Sequence, residues 1–442
     1  MQLSVVGRWS YLKQLIAETS GGLDRIVLIR GSQKFRLSLW CSVYVALTAF
    51  MINLCLDAVK AYCAFPTVIS IDISEDNLSV PSIALCSFNP FKRRKLCEEP
   101  FASLCDPDLD FVSAFSELLA GSDTGNASAE FIERYKQAFI NLRDLVVSCS
   151  LRGVSCGSGF FAPTIVELSR FGQCFCMFCE GNRKYAEAFR YRTQTPEEGL
   201  VLELNSSTRE YLPHIKDLGF VFFFYTYRKS AMVTRDSVHA SLGESTYMRL
   251  ETTEMKLLPA PYPSQCGSDW PPGYETIAGI DEEQYSFSRC MAICLSQQAM
   301  RECNCEITNE FSQLSVIENV CTRSRAELKC RNKALSSPKR FRANCECSDE
   351  CRVNIYRVQT SSGGFRKTRR RASPDRTRVT IYQSGSENTL IRERAKYRFS
   401  EMIAALGSNM NTFIGLSFLA IYEVFDVLAA WFSFLAERTR SL

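Results

Sequence analysis

The chain has 442 residues, 46% of them hydrophobic, and a formal net charge of +4. Such a length can bury a large core, and so small a charge with no dominant Lys/Arg tract argues against nucleic acid as a partner. Twenty-one cysteines beside two histidines suit an oxidising compartment far better than a cytosolic enzyme or a zinc protein.

In chain order, residues 1–36 carry Arg8, Lys13, Arg25, Arg30, Lys34 and Arg36 against Glu18 and Asp24. The basic excess predicts a cytoplasmic N-terminus. Residues 37–56, LSLWCSVYVALTAFMINLCL, hold no formal charge and are long enough for one membrane crossing. They start too far in for a cleaved signal peptide. Cys41 and Cys55 lie in this stretch, and the other nineteen cysteines lie between it and a second apolar stretch near the C-terminus. Residues 57–405 are therefore expected outside the cell. Three sequons, at Asn77, Asn126 and Asn205, fit that placement as glycosylation sites.

Within residues 72–91 an acidic lead precedes SVPSIALCSFNPF, which reads as a short strand ending in a loop. Phe111–Ala120 and Glu130–Val147 have the spacing of amphipathic helices. A loop bracketed by Cys149 and Cys156 follows, then a cysteine-dense strand over 172–179. Segments 199–204 (GLVLEL), 219–227 (GFVFFFYTY) and 244–257 are β-rich. The fold class expected outside the membrane is α+β with a central sheet.

Ten cysteines then crowd into the 86 residues from Cys266 to Cys351. A helix is expected around Phe287–Met300, with Cys290 and Cys294 one turn apart on one face, and Cys345 and Cys347 on one face of a strand-like run. Two facing rows of thiols would form a ladder of bridges. A metal site on Cys303-Asn304-Cys305 and Cys345-Glu346-Cys347 would need C-x2-C or similar spacing and a reducing place, so no metal is expected. Seven basic residues, Arg366, Lys367, Arg369, Arg370, Arg371, Arg376 and Arg378, fall within thirteen positions. They read as a solvated loop, with protease sensitivity or an anionic ligand as the functional alternatives.

Residues 406–436 are apolar apart from Glu423 and Asp426. A continuous helix of that length would reach roughly 46 Å, well past a hydrocarbon core of about 30 Å, so the segment must tilt, protrude or break. The two acids share one helical face, and carboxylates inside a membrane usually face protein or water. Gly415 and Ser417 offer backbone carbonyls and a hydroxyl, hard oxygen ligands for a hard cation. A pore-lining helix and an anchor with snorkelling acids both fit these residues. His214 and His239 sit beside no nucleophile motif, and Gly415-Leu416-Ser417-Phe418-Leu419 is not a hydrolase elbow, so an enzyme is not expected.

Together the two spans, VPSIALCSFNPF, the segment Leu258-Pro259-Ala260-Pro261-Tyr262 leading to Cys266, the cysteine block, and Gly415-Leu416-Ser417 followed by Glu423 and Asp426 resemble the degenerin/epithelial sodium channel family. The resemblance covers nearly the whole chain. It implies a multi-pass plasma-membrane protein with both termini cytoplasmic, 437–442 being the C-terminal tail. It also implies a homo- or heterotrimer with related subunits around one amiloride-sensitive Na⁺ pore, and no cofactor. Gly415, Leu416 and Ser417 match the selectivity filter, Glu423 and Asp426 the acids below it, and Ala404 the small residue of the outer gate. Tyr62 and Tyr262 match aromatic positions that couple a thumb-like block, 266–351, to the first span. Implied disulfides are Cys86 with Cys174, Cys149 with Cys156, Cys266 with Cys351, Cys290 with Cys347, Cys294 with Cys345, Cys303 with Cys330, and Cys305 with Cys321.

The chain departs from the family at several places. Gly21-Gly22 stands where the family has a cytoplasmic His-Gly gating pair, Ala405 stands for an acid at the gate, and Asn411 for a glycine before the filter. Cys63, Cys97, Cys105, Cys176 and Cys179 have no assigned partner, Cys97 with Cys105 being a plausible pair. Two functions therefore remain in view. One is a cation channel subunit gated by protons, an extracellular ligand or force, and the other is a non-conducting surface protein or silent partner subunit of the same fold. The residues name no extracellular ligand and no matrix or cytoskeletal partner.

Overall fold

The computed structural model describes residues 34–74, 79–98, 102–105, 137–157, 159–164, 166, 171–190, 195–213, 215–229, 236–274, 285–303, 329–330, 345–364, 375–383 and 388–415. Gly21, Gly22, Asn77, Asn126, His214, the Phe111–Ala120 helix, the Cys305–Cys321 pair, the 366–371 basic run, Leu416, Ser417, Glu423 and Asp426 lie outside them. Three longer helices are described: α1 (Lys34–Cys63), α2 (Phe287–Cys303) and α3 (Phe399–Ile414). The chain divides into two compact units. The described part of the first is 34–69, 260–263 and 393–415, and the rest belongs to the second.

In the first unit α1 is 30 residues long and is the helix, among the described residues, apolar and long enough to cross a membrane. It exceeds the expected 37–56 at both ends, because backbone hydrogen bonding does not stop where the apolar run stops. Val45, Phe50, Ile52 and Leu56 are exposed along it. α3 begins at Phe399 rather than at 406. The Glu401 carboxylate accepts the Arg398 backbone N–H at 3.0 Å, an acid in the first turn of the kind that satisfies a helix N-terminus.

The second unit is built on two sheets. The larger contains β1 (Thr67–Ser74), β3 (Val146–Leu151), β4 (Val154–Ser155), β7 (Leu200–Asn205), β10 (Glu244–Lys256), β11 (Arg352–Gly364), β12 (Arg376–Gln383) and β13 (Asn388–Ala395). Its order is β1-β13-β10-β12-β7-β3-β4, with β11 also on β10. β10 is the central strand. It pairs antiparallel with β11 along its whole length, and parallel first with β12 and then with β13. The smaller sheet is ordered β5 (Ala162–Thr164), β6 (Cys174–Met177), β2 (Ser82–Ser87), β8 (Gly219–Tyr225), β9 (Ser237–Ser241).

The sequence patterns explain these placements. β7 reads LVLELN with Leu200, Leu202 and Leu204 buried and the residues between them half-buried, the alternation of a strand with one core face. β8 reads GFVFFFY without alternation because both faces are covered. Phe220, Phe222 and Phe224 enter a core shared with Leu200, Leu202, Met248 and Ile381 of the larger sheet. Val221 and Phe223 enter a second core with Ala84, Cys86, Val166, Phe171 and Cys174.

Several expectations need correcting. The helix over Glu130–Val147 does not persist to its end: Phe139 bridges Phe91, a single turn spans Leu142–Leu145, and β3 starts at Val146. Pairing of the β-branched Val146 against β7 outweighs the local helical spacing. Cys345 and Cys347 lie outside any strand. Arg376 and Arg378 are not in a loop but in β12, where Arg378 faces Glu203 of β7 and bonds it at 2.6 Å.

Candidate functional site

α3 has two unlike sides. Ala404, Ser408, Asn411 and Gly415 are exposed, and their spacing of four, three and four residues puts them on one stripe. On other sides of the helix, Ile414 is buried and the Phe413 ring meets Phe50 of α1 edge-on, 5.3 Å between centroids. So within this unit α3 packs on α1 through apolar rings and leaves a stripe of small and polar side chains uncovered. Ala405 is half-buried beside the exposed Ala404.

The helix stops at Gly415. Its φ of 68° and ψ of 17° are left-handed, and its N–H still bonds the Asn411 carbonyl at 3.0 Å. This is the glycine C-cap, a conformation that costs other residues steric strain. Of the expected filter triplet, Gly415 is the described member, and it lies where helical geometry ends.

Tyr62 and Tyr262 both belong to the first unit, and Phe65 bridges them. Phe65 lies 6.0 Å from Tyr62 and 5.7 Å from Tyr262, and Tyr62 lies 6.2 Å from Phe399 at the start of α3. Sequence reasoning missed Phe65 and Phe399. The signal available was a third aromatic three residues past Tyr62, at the end of a helix and just before Pro66, where a chain must turn. Phe65 makes that turn at φ 47°.

In the second unit the structure bonds Cys86 to Cys174, Cys149 to Cys156, Cys266 to Cys351, Cys290 to Cys347, Cys294 to Cys345 and Cys303 to Cys330. Cys86 and Cys174 fall opposite each other where β2 runs antiparallel to β6. Two further bridges join cysteines left unassigned, Cys97 with Cys105 and Cys176 with Cys179. Among the described residues Cys41, Cys55 and Cys63 are unbonded. The α2 N-terminus is held by Glu350, whose Oε1 accepts the Phe287 N–H at 3.0 Å while its Oε2 pairs with the Lys229 ammonium.

Asn205 ends β7, half-buried opposite Arg376. Tyr225 and Tyr356 are half-buried, and desolvation of their phenols raises both above the usual tyrosine range. Tyr356 also shares hydrogen bonds with Ser79, at 3.1 Å, and with Thr226 and Asn354. Among the described residues no group of His, Cys, Asp and Glu is arranged to hold a metal.

Residues 19–427 match the family described as amiloride-sensitive sodium channel. Acid-sensing ion channel 4-B of Danio rerio is 24% identical over 439 residues, covering 92% of this chain and 73% of the relative. Acid-sensing ion channel 1C of Danio rerio is 21% identical, covering 90% and 79%. The human acid-sensing ion channel 4 is 20% identical, covering 90% and 75%.

Proposed function

We propose a function from one premise: the chain belongs to the amiloride-sensitive sodium channel family. That is a family of ion channels, not of enzymes. This chain is then a subunit of a plasma-membrane cation channel, selective for sodium and blocked by amiloride. Three subunits, identical or related, surround one pore, and α3 with its continuation through Glu423 and Asp426 lines it.

The observation that carries this reading is the Ala404–Ser408–Asn411–Gly415 stripe on α3, turned away from the Phe413–Phe50 contact. Polar side chains in a membrane segment face protein or water rather than lipid, and a threefold pore supplies both. The left-handed Gly415 that ends α3 is non-helical backbone, tolerated at membrane depth only where it faces protein or water. The filter then consists of Gly415, Leu416 and Ser417, and Glu423 and Asp426 concentrate cations near it. The gating stimulus acts from outside, and the names of the relatives make protons the first to apply.

The exposure of Ala404 sharpens the test. Ala404 is exposed within its own chain, so the effect of a bulky residue there is assigned to a neighbouring subunit. The full chain carrying Ala404→Phe, expressed in voltage-clamped cells, is expected to pass a standing amiloride-sensitive Na⁺ current. A further Ser417 substitution should shift the reversal potential. A variant that reaches the surface yet passes no current, alone or with related subunits, overturns the reading in favour of a silent partner. Gly21 in place of the gating histidine and Ala405 in place of the gate acid favour that second reading.

A further inference from the structure

Cys176 and Cys179 form a C-x-x-C disulfide to which the channel reading gives no task. Cys176 sits in β6 and is buried, whereas Cys179, at the start of the Glu180–Asn182 turn, is half-exposed. Phe178 between them is fully buried against Phe160 and Phe189, yet its φ is 62°. A non-glycine residue in the left-handed region persists only when its surroundings enforce it, and the short bridge is one of the enforcing links. The Tyr225 hydroxyl lies 3.3 Å from Cys176 Sγ and 3.4 Å from Cys179 Sγ. Burial keeps that phenol protonated, so it donates to sulfur.

We propose that Cys176–Cys179 is a thiol–disulfide exchange site, opened by dithiol reductants that attack the half-exposed Cys179. The reductant's thiolate bonds to Cys179 Sγ, the Cys176–Cys179 bond breaks, and the electron pair leaves on Cys176 Sγ, where the Tyr225 O–H hydrogen-bonds the new thiolate. The reductant's second thiolate then attacks its own sulfur in the mixed disulfide and expels Cys179. Two electrons leave the dithiol, which becomes a cyclic disulfide, and its two protons end on Cys176 and Cys179. A bonded donor and a half-exposed cysteine favour exchange. Cys86 and Cys174, by contrast, are both fully buried. The other short bridges, Cys97–Cys105 and Cys149–Cys156, close separations of 8 and 7 against 3 here, and the second clips strands already paired to each other.

The test uses the full chain on intact cells, with brief graded dithiothreitol, trapping by N-ethylmaleimide, and mass spectrometry whose fragment ions separate Cys174 from Cys176. Cys176 and Cys179 should take label together, at least tenfold faster than Cys86 and Cys174 and ahead of Cys97–Cys105 and Cys149–Cys156. Tyr225→Phe should slow that labelling at least threefold and leave Cys97–Cys105 unchanged. Opening no faster than the other partly exposed bridges, or an unchanged rate in Tyr225→Phe, overturns the proposal. Where Tyr225→Phe does not reach the surface, the order of opening in the unaltered protein decides alone.

Discussion

Lys229 and Glu350 leave only 11% and 13% of their side chains exposed, so neither charge is well solvated without the other. Removing one partner of a buried pair leaves an uncompensated charge and costs about 3–5 kcal/mol. Glu350→Gln keeps an acceptor for the Phe287 N–H but strands Lys229. The expected loss is about 3 kcal/mol, seen as a lowered unfolding temperature of the purified protein, with Lys229→Met in the same chain restoring most of it. The phenols of Tyr225 and Tyr356 act at another pH. Tyrosine ordinarily titrates at 10.0, and Tyr225 and Tyr356 are raised above that in the fold. Above pH 10 the unfolded chain therefore sheds protons that the folded chain keeps, and stability falls, by about 1.4 kcal/mol per pH unit for Tyr225. Below pH 10 that contribution is fully present. Unfolding temperatures at pH 9, 10 and 11 should show the decline, and Tyr225→Phe should flatten it. Loop entropy also ranks the bridges. Closing a separation of 3, at Cys176–Cys179, constrains the unfolded chain by about 1.6 kcal/mol, against about 4.6 kcal/mol for the separation of 88 at Cys86–Cys174.

At the scale of elements, the end of α3 is the most exacting. An L-residue in the left-handed region costs about 1–2 kcal/mol, least for Asn and most for β-branched side chains. Surface protein should therefore fall in the order Gly415, Gly415→Asn, Gly415→Ala, Gly415→Val, about fivefold between the ends, as measured by surface biotinylation. Equal amounts for Asn and Val would mean that the helix break at 415 is not needed to fold. Elements with a clean period were legible in the sequence: the alternation of β7, the unbroken apolar run of β8, the cysteine spacing of α2 and the charge-free stretch 37–56 within α1. Long-range pairing hid the others. β11 and β13 carry no local pattern as clear as β7, and they exist because β10 offers each a partner along its 13 residues. The start of α3 was readable from Glu401 three residues past Arg398, a capping spacing outweighed by the apolar run that begins at 406. Phe65 carried only the signal of an aromatic just before Pro66, and the Cys176–Cys179 bridge was not readable, since it depends on β6 ending just before Phe178.

For the molecule as a whole, the backbone passes between the two units at four places: after Ile69, before Ala260, after Pro263 and before Glu393. Two of these crossings bound the short segment Ala260–Pro263, which carries Tyr262, and the other two lie in β1 and β13, the strands that continue toward α1 and α3. These four crossings are the covalent routes from the second unit to the helices. Inside the first unit, Phe65 ties Tyr262 to Tyr62, and Tyr62 reaches Phe399 at the head of α3. Aromatic pairs of this kind contribute about 0.5–1.5 kcal/mol each. Losing both Phe65 contacts removes about 1–3 kcal/mol of coupling, enough to change an opening equilibrium at least fivefold. Phe65→Ala should thus reduce stimulus-evoked current at least fivefold at equal surface protein, with unitary conductance unchanged, and Phe65→Tyr should retain most of it. A Phe65→Ala channel that still opens fully would mean the rings only pack, and that the strands alone carry the signal.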